Sequence, residues 1–279
     1  MNVSIVIPVY NEAERLRACL EAISKQNVLP MEVIVVDNNS TDNSVSIAES
    51  FSFVTLLKEP RQGVVHARNI GFNNAKGEII GRIDADTILP REWVKNVQAI
   101  FLDNSISAVS GAANYYDFAL EPMADNIDGI IRQKLSNSLG NENFLWGANM
   151  ALRRSSWISV KSELCNVGDI HEDFDLAIHL QQKGFHVGYV SSLSAGVSSR
   201  RIDTGFIKYI KYTLVNPKTY AIHGLSGKRK MYPVLLFCWL IYFPARLIYR
   251  SYDHETESFQ LKKLLTPTQP RVDPTSNIA

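Results

Sequence analysis

Four acidic clusters in this chain of 279 residues carry side chains able to hold a cation or move a proton. Pro8-Val9-Tyr10-Asn11-Glu12, Asp37-Asn38-Asn39-Ser40-Thr41-Asp42 and Asp84-Ala85-Asp86 each sit at the end of an apolar, β-branched run. Carboxylates gathered in one crevice repel one another unless a cation or hydrogen-bond donors compensate. A divalent metal supplies that compensation, and phosphate oxygens would be its other partners. The fourth cluster, Gly168-Asp169-Ile170-His171-Glu172-Asp173-Phe174-Asp175, opens a helical pattern. A carboxylate at a helix start, facing the crevice, can accept a hydroxyl proton as the oxygen attacks. Each cluster also has a structural reading. Asp37, Thr41 or Asp42 can cap a helix, and acids in a first turn complement the helix dipole. What favours chemistry is position, because in open α/β sheets ligands bind beyond the carboxyl ends of the strands.

The elements that must position these residues alternate along the chain. Strands are predicted over 3–9, 32–36, 54–57, 78–83 and 108–113, and helices over 12–25, 43–51, 66–75 and 93–101, with Asn11 as the first N-cap. Solidly apolar strands separated by helices imply parallel βαβ units buried on both faces. Residues 1–115 read as a doubly wound nucleotide-binding half. Residues 116–200 are mixed, with strands at 149–152 and 186–190 extending the sheet. Residues 201–265 read as a helical extension that grows aromatic and basic, and 266–279 as a disordered tail.

Composition narrows the function classes. Lys and Arg total 29 against 28 Asp and Glu, a formal charge of +1, which argues against a protein that coats nucleic acid. Cys19, Cys165 and Cys238 form no CxxC pair, so neither a disulfide framework nor a zinc knuckle is expected. The N-terminus lacks the features of a signal peptide, which points to the cytoplasm. There is no GxGxxG after the first strand and no GxxxxGK[ST], which counts against a dehydrogenase and a P-loop NTPase. One stretch, 231–245, has no charge, but Pro233 and Pro244 limit a continuous helix and a bilayer span takes about 20 apolar residues. With its flanking cations and aromatic residues, 227–250 suits a helix lying on a membrane surface, with a buried helix as the alternative.

Taken together, the clusters resemble family 2 glycosyltransferases of the GT-A fold. The resemblance runs in order through Val3–Glu12, Val35–Asp42, Gly63–Gly71, Ala75–Glu78, Ile83-Asp84-Ala85-Asp86 as the DXD motif, Gly147–Arg154 and His171-Glu172-Asp173. It implies an α/β GT-A domain with a doubly wound, mostly parallel sheet and helices on both faces, catalysing an inverting transfer from a nucleotide-sugar donor with Mg²⁺ or Mn²⁺ on the diphosphate. By position it implies that Pro8, Tyr10 and Glu12 line the base and ribose site. Asp37 would contact the nucleobase or its ribose, with Asn38 beside it, and Arg68 would lie near the donor. Asp84 would reach the ribose or metal and Asp86 would ligate the metal. Asp173 would be the general base, with Glu172 positioning the acceptor.

Two departures stand out. Relatives using uridine donors often carry two acids where this chain has Asp37-Asn38, and an amide both donates and accepts where a carboxylate only accepts. Many relatives carry a His after the late strand, where this chain has Arg200 and Arg201, whose guanidinium forks suit a diphosphate. The expected acceptor is a glycan or lipid-linked precursor of cell-envelope polysaccharide, with the protein peripheral on the inner face of the membrane. The rival readings are a sugar-nucleotide pyrophosphorylase, which should carry a Gly-rich N-terminal loop, and a non-catalytic protein that retains the fold.

Overall fold

The computed structural model describes residues 1–165, 170–253 and 256–265; the expected tail at 266–279 and the Gly168-Asp169 pair lie outside the described residues. Seven strands build one sheet: β1 (Val3–Val9), β2 (Glu32–Asp37), β3 (Val54–Lys58), β4 (Ile79–Ile83), β5 (Ile106–Tyr115), β6 (Asn149–Arg153) and β7 (His186–Val197). Their order is β3-β2-β1-β4-β6-β5-β7, and all run parallel except β6, which pairs antiparallel with both neighbours. Among the described residues, nine helices surround or extend the sheet: α1 (Ala13–Ser24), α2 (Ser44–Glu49), α3 (Val64–Asn74), α4 (Trp93–Ile100), α5 (Glu121–Leu139), α6 (Arg154–Val160), α7 (Glu172–Gln182), α8 (Phe206–Ile222) and α9 (Lys228–Ser251).

The period-2 alternation of β1 sorts the two faces. Ile5 and Ile7 pack with Leu16, Leu20 and Ile23 of α1 and Trp93 and Val97 of α4. Val6 points the other way, into Phe72 of α3, Trp157 of α6 and Leu176 and Leu180 of α7. Both faces are covered, which explains the unbroken apolar runs. A third cluster of Leu139, Phe144, Phe174, Ile178, Tyr220 and Met231 fastens α8 and α9 to the sheet's outer helices.

Topology then sets where the polar strand ends meet. β2, β1 and β4 lie side by side and parallel, with Val9 in register with Asp37, so their carboxyl ends share one edge. Because β6 runs antiparallel to β4, with Ile83 opposite Asn149, its beginning at Gly147-Ala148-Asn149 reaches the same edge. The strand order reverses between β1 and β4, the usual place for a ligand crevice.

Three local expectations need correction. Asn11 is not an N-cap: it sits at φ 53°, and its Oδ1 accepts the Thr41 amide at 2.7 Å, tying the loop after β1 to the loop after β2. β7 runs to Val197, not Val190, because a bulge shifts its register on β5 from Gly111↔Val190 to Ala112↔Ser194. A Cβ on Gly111 would lie 1.7 Å from the Leu193 carbonyl oxygen, so only glycine permits that bulge. Finally, α9 is continuous over 24 residues through both prolines. Each proline removes one backbone donor, and packing along the helix offsets the loss.

Candidate active site

β4 enters the crevice carrying an arginine. Arg82 lies in an otherwise apolar strand and is nearly fully buried. Its Nη2 meets Asp84 Oδ1 at 3.0 Å and Glu172 Oε1 at 3.3 Å. Glu172 is in turn held through Oε2 by Arg68 Nη1 at 2.6 Å, and the same nitrogen donates to the Glu172 carbonyl at 2.9 Å. A line of alternating charge, Asp84–Arg82–Glu172–Arg68, therefore joins the end of β4 to the first turn of α7 and to α3. Burial works against the charge on Arg82, yet the carboxylates of Asp84, Glu172 and Asp173 hold its guanidinium above the ordinary value. Burial pushes the Glu172 carboxyl up, and Arg68 and Arg82 oppose that push.

Asp173 follows immediately on α7. Its Oδ2 accepts the Gly147 amide at 2.8 Å and its Oδ1 accepts the Phe174 amide at 2.9 Å. Two backbone donors fix the carboxylate while each oxygen keeps a lone pair for another proton. The Gly147 Cα is pressed on the Arg82 guanidinium so closely that a Cβ there would lie 1.1 Å from Nη1. The start of β6, the arginine of β4 and the carboxylate of α7 are thus one packed unit.

On the other side of Asp84, Arg200 bridges two carboxylates. Its Nη2 lies 2.5 Å from Glu12 Oε1 and 2.8 Å from Asp86 Oδ2. Burial opposes the charge, but Asp86 and Glu12 hold Arg200 well above the ordinary arginine value. Asp86 is further framed by Tyr116, whose hydroxyl donates to the Asp86 carbonyl at 2.9 Å. Cys19 lies beneath the group, its Sγ 3.8 Å from the Asp84 carbonyl oxygen, and burial raises its thiol far above the ordinary value.

The expected residues fall into two tiers. Glu12, Asp84, Asp86, Asp173 and Arg200 gather at the shared edge. Asp37 ends β2 on the neighbouring strand, where its Oδ1 accepts the Ser40 amide at 3.1 Å, while Pro8 and Tyr10 are half-buried at the end of β1. Asn38, Arg68 and Glu172 lie beneath that surface. Asn38 is 2% exposed: Nδ2 donates to the Glu59 and Arg61 carbonyls at 2.9 and 2.7 Å, and Oδ1 accepts the Gly63 amide at 2.7 Å. Its amide braces the loop before α3 and is not available to a ligand. Arg201 stacks on Tyr212 of α8, 3.6 Å from the ring centroid. Tyr212 also meets the His171 ring edge-on at 4.9 Å, so α8 closes over the start of α7. Trp146 stacks against Arg132 of α5 at 3.9 Å.

Sequence reading missed Arg82 and the tight role of Gly147. A signal existed for the first: an arginine inside the apolar run EIIGRI must find a carboxylate on folding.

The fold and this edge define an α/β protein of the GT-A type. The glycosyl transferase family 2 model matches residues 4–160, more than half of the chain, and the chain belongs to that family. Among curated relatives, the glycosyltransferase AglE of Haloferax volcanii is 28% identical over 179 residues, covering 61% of this chain and 59% of that protein. An undecaprenyl-phosphate 4-deoxy-4-formamido-L-arabinose transferase of Pectobacterium carotovorum is 31% identical over 173 residues, covering 59% of this chain and 47% of that protein. These matches thus span less than two thirds of either relative's length. Among solved structures, the Pyrobaculum calidifontis mannosyltransferase in complex with GDP-mannose and Mn²⁺ shares the fold at a TM-score of 0.66 and 22% identity, covering 95% of this chain and 77% of that one.

Proposed function

We propose that this chain is a metal-dependent inverting glycosyltransferase that moves a sugar from a nucleotide-sugar donor to an acceptor hydroxyl. Family membership supports sugar transfer, and the Pyrobaculum structure, with its GDP-mannose and Mn²⁺, supports a nucleotide-sugar donor used with a divalent cation. The observation that carries the reading is the charge line from Asp84 through Arg82 and Glu172 to the first turn of α7. It supports a donor side and a proton acceptor fixed in one rigid unit. In this reading residues 1–115 supply the donor site and 116–200 the acceptor side.

Pro8, Tyr10, Glu12 and Asp37 would receive the nucleoside at the adjoining ends of β1 and β2. The donors available to a metal at this edge are carboxylate oxygens, and a positive guanidinium already bridges Glu12 and Asp86, so the group suits a hard cation such as Mg²⁺ or Mn²⁺. Held by Asp84 and Asp86, that cation would neutralise charge building on the diphosphate leaving group. Arg200 would add a fixed positive charge facing the same oxygens. Asp173 would take the acceptor proton as the hydroxyl oxygen attacks the anomeric carbon and the bond to the diphosphate breaks on the opposite side, inverting that carbon. Asn38, Arg68, Arg82 and Glu172 act as positioning residues. The acceptor would be a hydroxyl of a glycan or lipid-linked glycan precursor, reached with α9 lying on a cytoplasmic membrane surface; the Pectobacterium relative's name points to a polyprenyl lipid for that protein.

Sugar transfer from a panel of nucleotide sugars, with Mn²⁺ and a polyprenyl-linked glycan offering free hydroxyls as acceptor, tests the reading. Asp173→Asn should lower turnover by about 10²–10⁴-fold with the melting curve kept, as expected for loss of a general base. Asp86→Ala should lower turnover and remove its Mn²⁺ dependence. Wild-type rates in both variants would overturn the assignment.

A further inference from the structure

A second cluster of ligating side chains lies outside the strand-end crevice. Cys165 follows α6, Asp175 and His179 lie one turn apart on α7, and His223 ends α8. Their four ligand atoms all fall within 4.8 Å of one another. His223 Nε2 is 2.8 Å and His179 Nε2 3.4 Å from Asp175 Oδ1, and Cys165 Sγ is 3.9 Å from each of the two Nε2 atoms. The imidazole rings stand nearly perpendicular, at 86°, with centroids 5.1 Å apart, so both present Nε2 to one point. Asp175 is 1% exposed, and its Oδ2 accepts the Cys165 amide at 3.0 Å, which leaves Oδ1 turned toward the histidines.

A tetrahedral zinc with Zn–S of about 2.3 Å and Zn–N or Zn–O of about 2.0 Å requires S···N near ~3.6 Å and N···O near ~3.3 Å. The observed N···O separations of 3.4 and 2.8 Å bracket the second value, and the two S···N separations of 3.9 Å lie slightly above the first. A hydrogen-bonded Asp–His pair would account for one imidazole. It gives no reason for a second imidazole and a thiol to converge on the same oxygen.

We propose that Cys165, Asp175, His179 and His223 form a four-ligand structural zinc site. A thiolate and two imidazoles select zinc, whereas Mg²⁺ and Mn²⁺ prefer the oxygen donors of the strand-end crevice. Four protein ligands leave no open position for substrate, so the site is structural. It ties the end of α6 and the end of α8 to α7, the helix whose first turn carries Glu172 and Asp173. The partly exposed Cys165 and histidines give the ion a route in.

The test is the metal content of the full chain, purified without a histidine tag and measured by plasma mass spectrometry. We expect about one zinc per chain, falling below about one tenth in Cys165→Ser and His223→Gln and unchanged in Asp86→Ala, since a closed N/S site binds zinc tightly. Metal-depleted wild-type chain titrated with Co²⁺ should develop tetrahedral d–d bands and a thiolate-to-cobalt charge-transfer band. This arm needs no variant to fold. Negligible zinc in the purified chain, together with no thiolate–cobalt band on titration, would overturn the site. Neither result depends on whether sugar transfer is observed.

Discussion

A guanidinium inside a buried strand is costly unless carboxylates meet it, and Arg82 meets Asp84 and Glu172 at once. That arrangement leaves it no freedom to move, which makes the contact with Gly147 a sharp test. In Gly147→Ala the new methyl would lie 1.1 Å from Nη1 and 2.2 Å from Cζ of Arg82, against a group pinned from both sides. The backbone at the start of β6 must shift, and with it the amide that holds Asp173. Overpacking of this kind costs about 1–3 kcal/mol, or roughly 2–12 °C in a protein of this size. Melting by circular dichroism should show that drop; a variant melting with wild type would mean the cradle is loose. The family resemblance named Asp173 and Glu172, and their place at a helix start agreed with it. The sequence could not show that Glu172 is the buried partner of both Arg68 and Arg82, because the Arg68–Glu172 pair joins residues 104 apart in the chain.

Elements were legible where burial is symmetric. β1 through β4 and α1 through α4 follow from apolar runs and helical spacing, because nothing but the sheet core competes for those residues. The misreadings share a cause: a tertiary contact overrode a local rule. Asn11 reads as a cap but clamps Thr41, and the end of β7 reads as a polar loop because its bulge turns Ser191 and Ser192 outward from the run. Asn38 is the instructive case, since its neighbour Asp37 made it look like a ligand contact. Its two amide hydrogens face the carbonyl oxygens of Glu59 and Arg61, and its oxygen faces the Gly63 amide. In Asn38→Asp a buried carboxylate oxygen would face those two carbonyls with no proton between them. Such a group costs about 2–4 kcal/mol at neutral pH. Asn38→Asp should therefore melt roughly 5–15 °C lower and become sensitive to proteolysis between Glu59 and Gly63. An unchanged melt would show that the loop after β3 can rearrange around an acid.

At the scale of the whole molecule, the C-terminal helices have two apolar faces and the catalytic core covers one. Met231, Leu235 and Tyr242 of α9 are buried, Trp239 Nε1 donates to Thr213 Oγ1 of α8 at 3.0 Å, and Arg246 pairs with Asp203 at 3.0 Å. Opposite them Leu236, Leu240, Phe243 and Leu247, at spacings of four, three and four, are 55%, 70%, 60% and 54% exposed. By length and composition α9 could cross a bilayer. Contacts to the body at both its beginning and its end support the proposal that it lies in the interface, with the exposed stripe in the acyl boundary. Sequence reading found the apolar stretch but could not divide it into a packed stripe and an open one, since both are equally hydrophobic. Removing everything after residue 228 would also remove Met231 from the cluster that holds Tyr220 and Phe174. Point changes on the open stripe are therefore the cleaner test. Each such side chain entering the boundary contributes about 1–2 kcal/mol, so Leu240→Glu with Phe243→Glu should weaken binding to phosphatidylglycerol vesicles by about two orders of magnitude or more. The melting curve should fall by only a few degrees, because both side chains are more than half exposed and only Phe243 gives up ring contacts, with Phe206 at 4.8 Å and Tyr242 at 5.2 Å. Tyr242→Ser should lower it further without freeing the protein from vesicles. A wild-type chain that stays in the supernatant after vesicle sedimentation would remove the membrane surface from the proposal while leaving sugar transfer untouched.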